Sequence, residues 1–124
     1  MARVPFDVAR AQVAAVARLV PPGRLVSYGD IGALLELSPR AVGRAMATHE
    51  PAPGEPEVPW WRVTNAAGDL PPHLRDEAFA RYRDEGTPIR ASGTGAAIRT
   101  HRADLPAWAD AAQDLLGPLP GANA

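Results

Sequence analysis

The stretch "SYGDIGALLELSPRAVGRAMAT", from Ser27 to Thr48, contains the strongest local signals for the fold. Ser27 is a favoured N-cap for a helix that starts at Tyr28. A second helix follows at once, because Ser38 is again a typical N-cap and Pro39 is favoured at the first helical position. Two short helices joined by a tight turn predict a helix-turn-helix.

The second predicted helix has a surface that suits nucleic-acid binding. Arg40 and Arg44 are one turn apart and are expected to share a face, and His49 follows at the end of the helix. Ala41 and Gly43 are small, so the helix could approach a DNA backbone or a narrow groove closely. The same pattern also fits an ordinary surface helix with two solvated arginines, and the pattern by itself leaves both interpretations open.

Helical patterns on both sides of this motif predict a mainly α domain. The segment "FDVARAQVAAVARLV", residues 6–20, repeats apolar residues at helical spacing, and "HLRDEAFARYRDEG", residues 73–86, does so before a terminal glycine. We therefore expect one domain over residues 1–90. Residues 91–124 form a predicted C-terminal extension with a flexible link, "ASGTGAA", and a possible last helix.

The predicted last helix has an apolar side. The side chains expected to face inward are Leu105, Trp108, Ala112 and Leu115. Residues 118–124, "PLPGANA", are expected to be disordered.

Composition excludes several kinds of chemistry. The chain has 124 residues, a formal net charge of −1 and no cysteine, so disulfides, thiolate nucleophiles and cysteine-ligated zinc are excluded. The spacing of histidines and carboxylates is not typical of a metal site, and we expect neither a metal nor another cofactor. No apolar run approaches the roughly 20 residues of a membrane-spanning helix, so we expect a cytoplasmic protein without membrane contact.

The stretch "EVPWWRVTNAAGDL", from Glu57 to Leu70, places Trp60 and Trp61 side by side. Adjacent side chains do not share a face in a strand or in a helix. One ring can therefore join a core while the other is exposed, and exposed aromatic rings are often binding residues. Tyr28 has two interpretations as well, either as a half-buried ring or as a contact to a base or sugar beside a bound phosphate.

In combination, several stretches resemble the C-terminal domain of O6-alkylguanine-DNA alkyltransferases. They are "VPPGRLVSYGDIGALL", "SPRAVGRAMA" and "VPWWRVTNAAGDL", followed by "YRDEG", within residues 6–90. The resemblance implies a winged helix-turn-helix-like DNA-binding domain. In those enzymes a Pro-Cys-His-Arg motif carries the cysteine that accepts the alkyl group. Trp60 stands at the cysteine position, as in the alkyltransferase-like proteins, and Trp61 stands at the histidine position, where those proteins more often keep histidine.

The resemblance implies a role for each matching residue. Arg40 matches the arginine that enters the duplex stack as the damaged nucleotide leaves, and Tyr28 matches a tyrosine that pushes on the neighbouring phosphate. The helix that carries Arg40 matches a recognition helix that enters the minor groove. The implied DNA-binding residues are Tyr28, Arg40, Ala41, Gly43, Arg44 and His49. The implied lesion pocket consists of Tyr28, Val58, Pro59, Trp60, Trp61 and His73.

Other matching positions have supporting roles. His73 falls near a position where some relatives have an arginine that senses the electrostatics of the lesion. Arg62 and Asn65 are expected to hold the local fold rather than to contact DNA. Glu85 matches a glutamate that orients the histidine of the transferases. Because an indole N–H only donates hydrogen bonds, we predict that Trp61 donates to Glu85 or to a nearby carbonyl and supports no proton relay.

The resemblance thus implies a non-enzymatic protein that binds O6-alkylguanine in double-stranded DNA by base flipping and flags it for nucleotide excision repair proteins. We expect a monomer. Two alternatives stay open. A helix-turn-helix transcriptional regulator would bind undamaged DNA. An endonuclease or a lyase would need another nucleophile, and the absence of cysteine and lysine argues against such an enzyme.

Overall fold

A computed structural model describes residues 5–123 of the chain, and helices make up most of its regular structure. The helices are α1 (Phe6–Arg18), α2 (Tyr28–Leu35), α3 (Pro39–Thr48), α4 (Arg75–Glu85), α5 (Ile98–His101) and α6 (Leu105–Leu116). The other elements are 3₁₀ turns at Trp60–Arg62, Pro72–Leu74 and Pro120–Asn123, and the strands β1 (Val26–Ser27) and β2 (Val63–Thr64). The predicted mainly α fold is confirmed. Residues 1–4 and 124, at the ends of the predicted segments 1–90 and 91–124, lie outside the described residues.

Helices α2 and α3 form the predicted helix-turn-helix, and their caps explain where each begins. The Ser27 hydroxyl accepts a hydrogen bond from the Asp30 N–H at 3.0 Å, and the Asp30 carboxylate accepts one from the Ser27 N–H at 2.9 Å. The Ser38 hydroxyl accepts one from the Ala41 N–H at 3.1 Å, and Pro39 is the first residue of α3. Both predicted N-caps are confirmed, and each contributes about 1 kcal/mol to helix stability.

The turn between α2 and α3 is tight, because Gly32 of α2 has no side chain to keep Leu37 of the turn at a distance. Glu36 adopts a left-handed backbone conformation with φ of 55°. The Leu37 N–H then donates to the Gly32 carbonyl at 2.9 Å. A Cβ atom at Gly32 would lie 2.3 Å from the Leu37 carbonyl oxygen, well inside van der Waals contact. The turn therefore requires glycine at this position.

A short parallel pairing holds the start of α2 beside the segment that carries the two tryptophans. Strands β1 and β2 pair with Ser27 opposite Thr64. On the other side of β1, the Leu25 N–H donates to the His101 carbonyl at 3.0 Å. The segment that leads into α2 is thus held from both sides.

The apolar side chains form two clusters. The first joins α1, α2, α3 and α6, and its buried members are Val13, Val16, Ala17, Val20, Val26, Ile31, Leu34, Leu35, Val42, Ala45, Val63, Ala103, Trp108, Ala112 and Leu119. The second joins the tryptophan segment to α4, and its buried members are Leu25, Trp61, Leu70, Ala78, Tyr82, Ala96 and Ile98. Val13, Val16 and Val20, from the apolar pattern predicted in residues 6–20, lie in the first cluster.

The C-terminal extension packs against the rest of the chain. In the segment expected to be a flexible link, Ala96 is fully buried and its N–H donates to the Gly68 carbonyl at 2.8 Å. Helix α6 lies where a last helix was possible, and the indole N–H of its buried Trp108 donates to the Val16 carbonyl at 2.8 Å. Residues on both sides of position 90 therefore share the same two clusters.

Two expectations for this extension are wrong. The Leu115 side chain, expected to face inward, is 58% exposed. Leu116 packs against the core instead, because it continues the spacing of four residues from Ala112. Residues 118–123 are not disordered, since Leu119 is buried and anchors a segment whose proline and glycine content suggested otherwise.

We expect Gly32→Ala to lower the free energy of unfolding by about 1–3 kcal/mol, because the new methyl group must displace the Leu37 carbonyl. At an open helical position the same exchange raises stability by up to about 1 kcal/mol. Gly43→Ala is the matched control, since a Cβ there meets nothing within 4 Å. Urea unfolding followed by circular dichroism measures both variants, and equal stabilities would show that the turn does not need Gly32.

Candidate nucleic-acid interface

One cavity of about 940 Å³ brings together most of the side chains assigned from the sequence. It is bounded by α3, the loop that follows α3, the Trp60–Arg62 turn and the Pro72–Leu74 turn. Its lining residues are Tyr28, Pro39, Arg40, Gly43, Met46, Ala47, His49, Pro51, Glu57, Val58, Trp60, Leu70, Pro71, His73, Leu74 and Glu77. The volume lies within the range of about 300–1,000 Å³ that is usual for small-molecule sites.

Helix α3 contributes one face and its C-terminal end to the cavity. Arg40 and Gly43 line it from the face, and His49 lines it from the end of the helix. Arg44, which was assigned to DNA binding and not to the pocket, lies outside the cavity. Its guanidinium carbon is 4.9 Å from the centre of the Phe6 ring on α1, because an aromatic face attracts a cation.

Tyr28 lies where the start of α2 meets the cavity. Its ring is partly buried against the first cluster and also lines the cavity, so the two interpretations of this residue are compatible. Burial raises the pKa of the Tyr28 hydroxyl above its ordinary value. The hydroxyl therefore stays protonated at neutral pH and can donate a hydrogen bond.

The two tryptophans point in different directions. Successive side chains in a 3₁₀ turn are about 120° apart. Trp60 is partly exposed and lines the cavity, whereas Trp61 is 5% exposed and belongs to the second cluster. The ring centres are 5.7 Å apart and the planes meet at 88°, which is a favourable edge-to-face contact. Trp61 was assigned to the lesion pocket, and that placement is wrong.

Trp61 is fixed by the carboxylate of Glu85. Its indole N–H donates to Glu85 Oε1 at 2.9 Å, which confirms the predicted hydrogen bond. Arg62 donates to the same carboxylate from Nε and Nη2, at 3.1 and 2.5 Å, and from Nη1 to the Val20 carbonyl at 3.0 Å. The Gly23 N–H adds a bond at 3.2 Å. Burial alone would raise the pKa of Glu85, but the hydrogen bonds from Arg62, Trp61 and Gly23 hold it below its ordinary value.

Further contacts keep the Trp61 ring turned away from the cavity. The buried Tyr82 hydroxyl donates to the Trp61 carbonyl at 2.6 Å. The guanidinium carbons of Arg81 and Arg62 lie 4.3 and 5.4 Å from the centre of the Trp61 ring. Arg62 therefore holds the local fold, as expected. Asn65 does the same, because its side-chain oxygen accepts two backbone N–H bonds within the turn that follows it.

His73 reaches the cavity from the Pro72–Leu74 turn. The residue is exposed, so its ring is open to solvent and to a ligand. The chain around it is anchored by Arg75, whose Nε donates to the Leu70 carbonyl at 2.9 Å. The structure thus brings His73 to the same cavity as Trp60.

Ala41 and Pro59 lie outside the cavity. Ala41 is half-buried in the first turn of α3, and its backbone N–H donates to the hydroxyl of the N-cap Ser38. Pro59 is buried and, together with Trp61, lines a separate groove. Pro59 and Trp61 lie away from the cavity because successive residues at the 3₁₀ turn point to different sides.

Several lining residues were not identified from the sequence. They are Pro39, Met46, Ala47, Pro51, Glu57, Leu70, Pro71, Leu74 and Glu77. Met46 lies three residues after Gly43, and this spacing places both on one face of α3. Pro51 and Glu57 belong to the loop after α3, where no periodicity exists that could predict which side chains face inward.

The cavity offers aromatic faces, one guanidinium group and two imidazoles. These groups bind ligands by stacking and by hydrogen bonding.

Within residues 5–123, no group of three or more histidine, aspartate or glutamate side chains could hold a metal ion. Over the same range, every helix is too short or too polar to cross a membrane.

Residues 8–85 match the protein family described as "6-O-methylguanine DNA methyltransferase, DNA binding domain". This range contains the helix-turn-helix, both adjacent tryptophans and Glu85. A segment of 53 residues is 53% identical to a "DNA base-flipping protein" of Thermus thermophilus. That segment is 43% of this chain and 34% of the relative, so the chain spans about a third of the length of the curated relative it matches.

Two solved structures have a similar fold. The first is the crystal structure of S. pombe Atl1 in complex with damaged DNA containing O6-carboxymethylguanine, which is 24% identical with a TM-score of 0.68 and covers 82% of this chain and 99% of that one. The second is a structure of S. pombe ATL in complex with DNA, which is 25% identical with a TM-score of 0.63 and covers 85% and 96%. The shared fold therefore extends beyond residues 8–85.

We expect Trp61→Phe to lower the free energy of unfolding by about 1–3 kcal/mol, because a partly buried carboxylate loses a hydrogen-bond donor. Trp60→Phe is the matched control. It removes an indole from the adjacent position, where the ring is partly exposed and lies in the cavity. Thermal unfolding of both variants checks this difference, and equal loss of stability would mean that the bond to Glu85 contributes nothing measurable.

Proposed function

Since this chain belongs to the family of the 6-O-methylguanine DNA methyltransferase DNA-binding domain and is an alkyltransferase-like protein, we propose that it binds O6-alkylguanine in double-stranded DNA without removing the alkyl group. The damaged base would be flipped out of the duplex into the cavity. The observation that carries this proposal is that Arg40, Tyr28 and Trp60 line one cavity beside α3. A ring, a hydroxyl and a guanidinium group therefore surround a space that can hold a base.

The energy balance of base flipping favours a damaged base. Taking a base out of the stack costs a few kcal/mol, and less where pairing is already weak. O6-alkylation removes the N1 proton of guanine and weakens its pairing. The exposed Arg40 can occupy the vacated space, since its planar guanidinium stacks on bases. The Trp60 ring can stack on the flipped base, and such contacts contribute about 1–3 kcal/mol each.

The surface of α3 leaves room for a close approach to DNA. Gly43 faces the cavity, and a Cβ atom there would meet nothing within 4 Å. Packing within the protein therefore does not require glycine at this position. A missing side chain beside Arg40 does suit a helix that must lie close to a backbone or in a narrow groove.

The same site is poorly equipped for alkyl transfer. The chain contains no cysteine, so no thiolate can accept an alkyl group. The Glu85 carboxylate already accepts hydrogen bonds from Trp61 and Arg62. An indole N–H donates but cannot accept a proton, so Trp61 cannot serve as a general base. The geometry supports holding a base rather than reacting with it.

A protein that binds a lesion without repairing it must pass the lesion on. We propose nucleotide excision repair proteins as the recipients, in line with the family resemblance. Incision of lesion-containing DNA by a reconstituted excision nuclease should be faster in the presence of this protein. An unchanged incision rate at saturating protein would exclude this step while leaving lesion binding intact.

Lesion binding itself is tested by titrating a duplex that contains one O6-methylguanine against the same duplex with guanine. We expect tighter binding to the damaged duplex in every flanking sequence, whereas a transcriptional regulator would respond to sequence and not to the adduct. After incubation, the damaged strand should be recovered uncut with its methyl group attached. Methyl transfer or strand cleavage would overturn the non-enzymatic part of the proposal.

Arg40→Ala is expected to weaken binding to the damaged duplex by about 1–3 kcal/mol, on the scale of one lost stacking contact. Arg83→Ala is the control, because Arg83 is an exposed arginine on α4 outside the cavity. Fluorescence anisotropy with labelled duplexes measures both affinities. Wild-type affinity of the Arg40 variant would refute insertion of this side chain into the stack.

A further inference from the structure

We propose that Arg10 of α1, outside the helix-turn-helix, joins Arg44 of α3 to bind a backbone phosphate of DNA beside the cavity. This inference rests on the proposed DNA binding and adds a contact from a helix to which the sequence analysis gave no such role. Both guanidinium groups lie against one aromatic ring. The Arg10 guanidinium carbon is 5.3 Å from the centre of the Phe6 ring, and that of Arg44 is 4.9 Å from it.

The positions of these groups relative to α3 are defined by further contacts. Arg10 Nη1 donates to the Thr48 carbonyl in the last turn of α3, at 3.3 Å. Phe6 packs against the first cluster, so the ring that supports both arginines is itself anchored. Cationic groups therefore follow α3 along its length, with Arg40 near its start, Arg44 one turn later and Arg10 near its end.

The charges around Phe6 are not balanced. Arg10 pairs with Asp7 at 2.5 Å, and the Asp7 side chain is 88% exposed. Among the residues that the structure describes, no carboxylate lies within ion-pairing distance of Arg44. Two guanidinium groups thus converge on one ring with a single, solvated carboxylate. Like charges held together in this way favour an anion as the missing partner.

Within residues 5–123, the Arg44 guanidinium donates no hydrogen bond. Arg10 Nη1 donates to the Thr48 carbonyl, and its Nη2 donates to the solvated Asp7 carboxylate, so a phosphate would compete with Asp7 for Arg10. A guanidinium stacked on an aromatic ring uses its face, while its N–H donors lie in the plane at the edge. Those donors match the oxygens of a phosphate in a bidentate arrangement. A backbone phosphate carries no sequence or lesion information, so this contact should strengthen binding to every duplex alike.

The test uses the full chain and compares Arg10→Ala with Arg83→Ala, which removes the same charge from an exposed site on α4. Binding is measured at several salt concentrations with damaged and undamaged duplexes. We expect Arg10→Ala to weaken binding to both duplexes by the same factor, on the order of threefold to fivefold. The slope of log affinity against log salt concentration should fall by about 0.9, as for one lost phosphate contact. Arg83→Ala should leave the slope unchanged.

A second variant separates a phosphate contact from a purely structural role of Arg10. Asp7→Asn keeps the Arg10 side chain and its bond to Thr48 but removes the competing carboxylate, so we expect tighter binding to both duplexes. If Arg10→Ala keeps the wild-type slope, or if Asp7→Asn does not tighten binding, the phosphate contact is refuted while lesion binding stands. If the wild-type chain does not prefer the damaged duplex, the proposed function fails instead.

Discussion

The carboxylate of Glu85 draws together three parts of the chain that are distant in sequence. It accepts hydrogen bonds from the Gly23 backbone after α1, from Trp61 and from Arg62, while Glu85 itself lies at the end of α4. A carboxylate that is largely removed from water is costly unless it is paired and hydrogen-bonded. These three segments therefore have to meet at the Glu85 carboxylate. This requirement fixes the orientation of the Trp60–Arg62 turn.

The same contact determines what the cavity can do. Because Trp61 is held inward by Glu85 and Tyr82, the neighbouring Trp60 must point the other way, into the cavity opposite α3. The pairing of β1 with β2 then keeps Tyr28 close to this turn. The indole N–H of Trp61 donates to Glu85, and the ring offers no nitrogen that could accept a proton.

Local signals in the sequence predicted local structure well. Ser27 and Ser38 could be predicted as N-caps because a capping side chain bonds only to the first turn of its own helix. The hydrogen bond between Trp61 and Glu85 was predicted from the family resemblance. The errors concern contacts between distant segments. The pattern on α3 could not predict that Arg44 packs on the Phe6 ring of another helix. Leu119 is buried in a segment whose composition suggested disorder. Its contacts could not be predicted, because the other members of its cluster lie on helices far away in the sequence. Periodicity does not contain that information.

The packing of the C-terminal segment on α2 has a consequence for how the protein folds as it is synthesised. Gly121 lies so close to α2 that a Cβ atom would be 1.6 Å from the Ala33 carbonyl oxygen, and Leu119 completes the first cluster. The helix-turn-helix therefore leaves the ribosome long before the residues that cover it. Until then the part of α2 that this segment covers is exposed to chaperones and to aggregation. Covering it requires a contact between residues that are far apart in sequence and that is made late.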